Sequence, residues 1–178
     1  MGEIQPTDLT WILPEIIVAG SGMALLLWTA ILRSDDRWSA VGLTLGANAT
    51  AGIVMALRQP VDGAVLEIFS GQLVIDGFST FFRALFLIVG SLAVVIASQR
   101  FERVPFTETA AILQFALSGM LLMVGAVDWM TAFIALELMA VPVYALTAMT
   151  RFRRASVEAA LKYLVLGAFA TAVLVYGI

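Results

Sequence analysis

The sequence predicts an all-α integral membrane protein with six transmembrane helices, and three observations lead there. Of its 178 residues, 61% are hydrophobic and only 13% are charged, about half the charged share of an ordinary soluble domain, and the mean hydropathy is +0.99. The apolar residues are gathered into runs of about 20, the length a helix needs to cross roughly 30 Å of hydrocarbon. Short polar breaks separate the runs, and the basic residues concentrate in alternate breaks.

The six predicted spans cover 9–32, 38–57, 77–98, 109–127, 130–149 and 157–178. The first follows a segment, 1–10, without Lys or Arg, so it lacks the positive region of a cleavable signal peptide and is read as a retained span. Pro14-Glu15 stands near its start, where Glu15 is expected to anchor the helix at the interface. The second opens on Trp38 and carries Gly42-x-x-x-Gly46, a pattern suited to helix packing. Asp76, Glu108 and Asp128 precede or open the next three spans, where a carboxylate suits the positive end of a helix dipole. Trp11, Trp38 and Trp129 lie near span ends, as in an aromatic belt. The sixth span runs to Ile178 with no polar flank, so the chain is expected to be the start of something longer.

One connection exceeds a turn. Within 58–76, the segments 65–69 and 72–75 flank Ser70-Gly71 and predict a short two-stranded ribbon. The first, third and fifth connections hold Arg33, Arg37, Arg100, Arg103, Arg151, Arg153 and Arg154, whereas the opposite side holds Arg58. By the positive-inside rule the N-terminus and the ribbon are then outside.

Composition narrows the chemistry. With no Cys and no His, the chain lacks the usual ligands of haem, iron–sulfur clusters and zinc, as well as thiol nucleophiles and imidazole acid–base catalysis. Redox chemistry is expected on another chain. The net charge of −3 and the scattered arginines offer no basic patch for nucleic acid. What remains is the set of ionisable residues within spans, which are costly there and are functional candidates for that reason. They are Glu137 and Lys162, with Glu15, Arg83 and Glu108 as lesser members.

Glu137 lies near the middle of the fifth span, too deep for a Glu side chain to reach the interface. Burial favours its neutral form and a cationic neighbour its charged form, which is the sensitivity a proton relay needs. Pro142, five residues on, deprives the Leu138 carbonyl of its helical donor. The alternative role for Glu137 is a structural hydrogen bond from a permanently protonated carboxyl. Lys162, the one lysine, has two candidate partners: Glu158 at i−4 in the favourable order, or Glu137 across the helix pair through a water.

These residues carry a resemblance. The stretch from Leu136 to Tyr144, the stretch from Glu158 to Phe169, and Tyr176-Gly177 closely resemble the antiporter-like membrane subunits of NADH–quinone oxidoreductase, respiratory complex I, in particular its subunit N (chain 2). Leu13-Pro-Glu-Ile16 and the stretch from Asp76 to Phe82 look like that family's first and third spans. The resemblance implies the first part of a fold of about fourteen helices built on two inverted repeats, with a three-span region at 1–104 and the start of the first repeat at 105–178. It implies proton translocation through Glu137, accompanied by Lys162, with no redox group on this chain. FMN, iron–sulfur clusters and quinone would belong to other subunits. Its partners would be neighbouring membrane subunits, the lipid bilayer, protons and water, and its setting the bacterial cytoplasmic (inner) membrane. The family's broken seventh helix and second repeat are not in these 178 residues. A subunit of a multi-subunit monovalent cation/proton antiporter shares the Glu and Lys pattern and is the alternative.

Overall fold

A computed structural model describes residues 8–32, 35–58, 64–100, 104–150 and 153–178. Inside hydrocarbon a backbone must satisfy its own hydrogen bonds, and these apolar runs do so as helices. A short helix α1 (Asp8–Trp11) precedes α2 (Leu13–Leu32), α3 (Arg37–Leu57), α4 (Gly77–Arg100), α5 (Phe106–Gly125), α6 (Trp129–Ala148) and α7 (Arg154–Gly177). Among the described residues, α2 to α7 are the six helices long and apolar enough to span a membrane. The first predicted span is divided at Ile12, since Pro14, the second residue of α2, has no backbone N–H to bond the Thr10 carbonyl four residues back.

The predicted ribbon is present. Strands β1 (Leu66–Ile68) and β2 (Leu73–Ile75) pair antiparallel, with Leu66 opposite Ile75 and Ile68 opposite Leu73. The turn between them holds Phe69, Ser70 and Gly71 at φ of 52°, 58° and 85°. Its non-glycine strain is held by outside partners: Asp8 accepts the Phe69 N–H at 3.2 Å, and the Gln72 carbonyl accepts from Val127 N–H at 3.1 Å. Ile68, Leu73 and Ile75 face inward onto Trp11, Ile12 and Leu122, so the ribbon seals one end of the bundle.

α5 is the central element, packing on α2, α3, α4, α6 and β2. Two further apolar layers lie beyond the ribbon: Val18, Ala51, Leu87, Leu117 and Leu121, then Leu25, Ala40, Val41, Val94, Ala97, Phe106, Ala110 and Ala111 toward the arginine-rich end. α7 packs on α6 at the edge. Gly22 lets α2 approach α5, since a Cβ there would lie 3.0 Å from the Ala111 carbonyl oxygen. Gly42 and Gly46 have nothing within 4 Å of such a Cβ, so the expected packing motif is not at a helix contact.

Two helix starts follow expectation. Asp76 accepts the Ser79 N–H at 2.7 Å while the Ser79 hydroxyl accepts the Asp76 N–H, and Asp128 accepts from Met130 and Thr131 N–H. The Ser79 N–H is the main reason the Asp76 carboxyl is held below its ordinary value. The third differs: Glu108 lies in the first turn of α5, but the cap comes from Asp35. Its carboxylate accepts the Phe106 N–H at 3.0 Å and the Thr107 N–H at 2.8 Å, together with the Thr107 hydroxyl. Arg37 adds a bond to the Ser98 carbonyl near the end of α4 and stacks over Phe106. Of the arginines used for orientation, Arg33, Arg103 and Arg151 lie outside the described residues.

Candidate functional site

Glu137 stands on α6 beside a close approach between two spans. Gly119 of α5 faces the backbone of Leu138 and Met139, and a Cβ at Gly119 would lie 2.5 Å from the Met139 nitrogen. Only a glycine lets α5 and α6 meet there. Glu137 itself is half-buried, and its Oε1 is buried with no hydrogen-bond partner among the described residues. Pro142 lies within α6, so the Leu138 carbonyl also lacks its helical donor. Two acceptors without donors among the described residues thus belong to consecutive residues of α6. A donor such as a water satisfies such an arrangement.

Two turns further along α6, Tyr144 meets Tyr163 of α7 edge to face, with ring centroids 5.1 Å apart. Gly167 leaves the space that the Tyr144 hydroxyl occupies, since a Cβ there would collide with it. At the arginine-rich end, the Thr150 hydroxyl donates to Ser156 and the Ser156 hydroxyl donates to the Thr147 carbonyl at 2.6 Å, closing the α6–α7 connection.

Of the two partners considered for Lys162, the structure brings it to Glu158. Nζ lies 2.6 Å from Glu158 Oε1, with the side chains 71% and 66% exposed.

Glu15 departs from expectation. It is not an interface anchor: its side chain is 3% exposed and lies 3.0 Å from Nη2 of Arg83, which is 2% exposed. Arg83 Nε also points at the Leu121 carbonyl of α5, at 3.4 Å. Gly125 leaves room for the guanidinium, its Cβ position being 3.2 Å from Nη2. A signal for this pair was present in the sequence, since Glu15 and Arg83 are opposite charges in spans that both begin on the ribbon side.

Sequence reading missed a neutral network at mid-depth. Gln114 of α5 donates to Ser21 of α2 at 2.8 Å and to Asn48 of α3 at 2.9 Å, and Asn48 donates to Ser91 of α4 at 3.0 Å. It ties four helices together, and each of its amides is buried. Polar residues within the second and fourth spans were its only sequence signal.

A family profile described as "NADH:quinone oxidoreductase/Mrp antiporter, TM" matches residues 126–178, the part that contains Glu137, Pro142 and Lys162. NADH-quinone oxidoreductase subunit N of Trichlorobacter lovleyi is 37% identical over 97% of this chain and 35% of its own length. The subunit N proteins of Paramagnetospirillum magneticum and Granulibacter bethesdensis are 34% and 38% identical over 98% and 93% of this chain. The chain is a homologue of NADH-quinone oxidoreductase subunit N. A chain of respiratory complex I from Thermus thermophilus, solved with bound aureothin, superposes with a TM-score of 0.70 at 29% identity, over 92% of this chain and 35% of that one. The antiporter-like membrane fold is therefore shared with subunit N. This chain spans about a third of the length of the curated relatives it matches. Glu15 and Arg83 fall outside the profile-matched segment.

Proposed function

We propose that this chain is part of a proton-translocating membrane subunit of an NADH–quinone oxidoreductase, and that Glu137 is a proton-carrying residue in it. The observation that carries the reading is the buried, unpartnered Oε1 of Glu137, set beside the carbonyl freed by Pro142 and on a helix inside the profile-matched segment. A carboxyl so placed takes up a proton when its surroundings turn less cationic and releases it when a positive charge approaches. Lys162 supplies such a charge on α7. Held by Glu158 in this arrangement, it acts on Glu137 when that pair opens.

The NADH-derived electrons pass through other subunits. In this reading FMN, iron–sulfur clusters and quinone belong to other subunits, which is supported for the clusters by a sequence without Cys or His to ligate them. Quinone reduction drives translocation by shifting the pKa values of buried groups through electrostatics or conformation. The subunit lies among related antiporter-like subunits in the bacterial cytoplasmic membrane, with its N-terminus outside. Residues 1–104 form its N-terminal three-span region and 105–178 open the first antiporter-like repeat.

The test uses the full-length subunit in its assembled complex. Glu137→Gln is expected to abolish most coupled proton pumping, and Glu137→Asp to retain more of it. Native pumping in both variants would refute the assignment.

A further inference from the structure

The translocation reading makes no use of Glu15 or Arg83, yet the two ions are 3% and 2% exposed. Both carboxylate oxygens of Glu15 and Nη2 of Arg83 are buried without a hydrogen bond, so the 3.0 Å approach of Nη2 to Oε1 lacks the alignment a hydrogen bond needs. A guanidinium has five N–H donors and a carboxylate about four acceptor sites. Among the described residues, the one aligned contact is the long bond from Nε to the Leu121 carbonyl, at 3.4 Å. Buried polar atoms left so by the protein are met by ordered water in folded proteins.

The room for water is there. Arg83 lines a cavity of about 10 Å³ together with Thr10, Pro14, Val54, Arg58 and Thr80. That is about the volume one water centre occupies. Arg58 also donates from Nη1 to the Thr10 carbonyl at 3.0 Å, joining two walls of the cavity on the ribbon side.

We propose that this cavity is an internal water site: a single water accepts an N–H of Arg83, donates to the Thr80 hydroxyl, and gives the buried guanidinium an acceptor that Glu15 does not provide. The ligand is water, and the site is separate from Glu137. Its role is to keep a charged guanidinium inside the bundle without a direct fork to Glu15, leaving Nε aimed at α5 two residues from Gly119.

Two measurements test it. In a high-resolution structure of the assembled complex, a water is expected within hydrogen-bond distance of Arg83 and Thr80. An empty cavity with a two-bond Arg83–Glu15 fork would overturn the proposal. In the full-length protein in detergent, Val54→Ile adds a methyl group to the cavity wall. If the cavity is wet, this displaces the water and lowers Tm, and it leaves Tm unchanged or raised in a Glu15→Leu/Arg83→Met background, where there is no charge to hydrate. A rise in Tm from Val54→Ile in the native background means a dry cavity and overturns the site. Should the double variant not fold, Thr80 decides: Thr80→Ser keeps the native Tm and Thr80→Val lowers it, and equal Tm values for the two refute the water's hydroxyl partner.

Discussion

The α2–α5 bundle encloses its polar residues, whereas α6 and α7 carry theirs at the edge. In the spanning part of α5, 56% of residues are buried, against 6% in α7. The same residue types behave differently in the two settings. Glu15 and Arg83 are sealed by the ribbon and three helices, while Glu158 and Lys162 pair along one helix with both side chains exposed. A charge held by several elements is fixed in place by the fold. Among the described residues, the Lys162 charge is paired only along its own helix.

The comparison is broken most severely at Arg83. Arg83→Met strands Glu15 in the interior and should cost about 3–5 kcal/mol, whereas Glu15→Leu/Arg83→Met should recover most of that loss. Chemical unfolding of the full-length protein in detergent measures both, and equal losses in the single and double variants would show that the pair does not act as a unit.

Gly119→Val drives a side chain into the α6 backbone beside Glu137. Overpacking of this kind should cost about 1–3 kcal/mol and impair pumping along with stability. Gly42→Ala is the control: nothing lies within 4 Å of its Cβ position, so it should be neutral or stabilising by up to about 1 kcal/mol. Similar losses in both would remove the close contact from the account.

Asp35→Asn replaces charge-assisted hydrogen bonds to the start of α5 by neutral ones, at a cost of about 1 kcal/mol, with a defined pH dependence. Burial raises the Asp35 carboxyl, but hydrogen bonds from Thr107 and Phe106, with Arg37 nearby, outweigh it and hold the group below its ordinary value of 3.8. A depressed folded-state value means that the ionised cap stabilises fully above the unfolded-state value and that this is lost as pH falls through the folded one. The gap between native protein and variant, followed by Tm against pH, should therefore close on acidification below about pH 4. A constant gap would mean that the carboxylate's charge adds nothing to the cap.

The smallest effect belongs to Glu158→Gln. The Lys162 pair runs along a single helix, and an i,i+4 pair of that kind is worth about 0.2–0.5 kcal/mol. Proton pumping sharpens the point: Lys162→Met is expected to reduce it and Glu158→Gln to change it far less. Equal, negligible effects would leave Lys162 as an ordinary surface pair.

Much of the fold was legible in the apolar runs, and the misses share one cause. All six spans began within four residues of expectation, and Asp76 and Asp128 capped as read because each cap lies next to its helix. α5 begins three residues before its predicted start, since its cap, Asp35, is 72 residues from Thr107 in sequence. Glu137 was visible as a carboxylate in mid-span, but the glycine contact next to it was not, because nothing local distinguishes Gly119 from Gly42. Glu15 was misplaced at the interface because depth along a helix says nothing about what closes over it.

By itself, the sequence determined which segments are helices and how long they are. Hydrocarbon leaves each span's backbone no partner but itself, so length and apolarity are enough. The tertiary structure alone decided which polar side chains meet. Those contacts depend on how each helix is rotated and displaced against its neighbours, and helices apolar on all sides carry no polar stripe from which that rotation can be read.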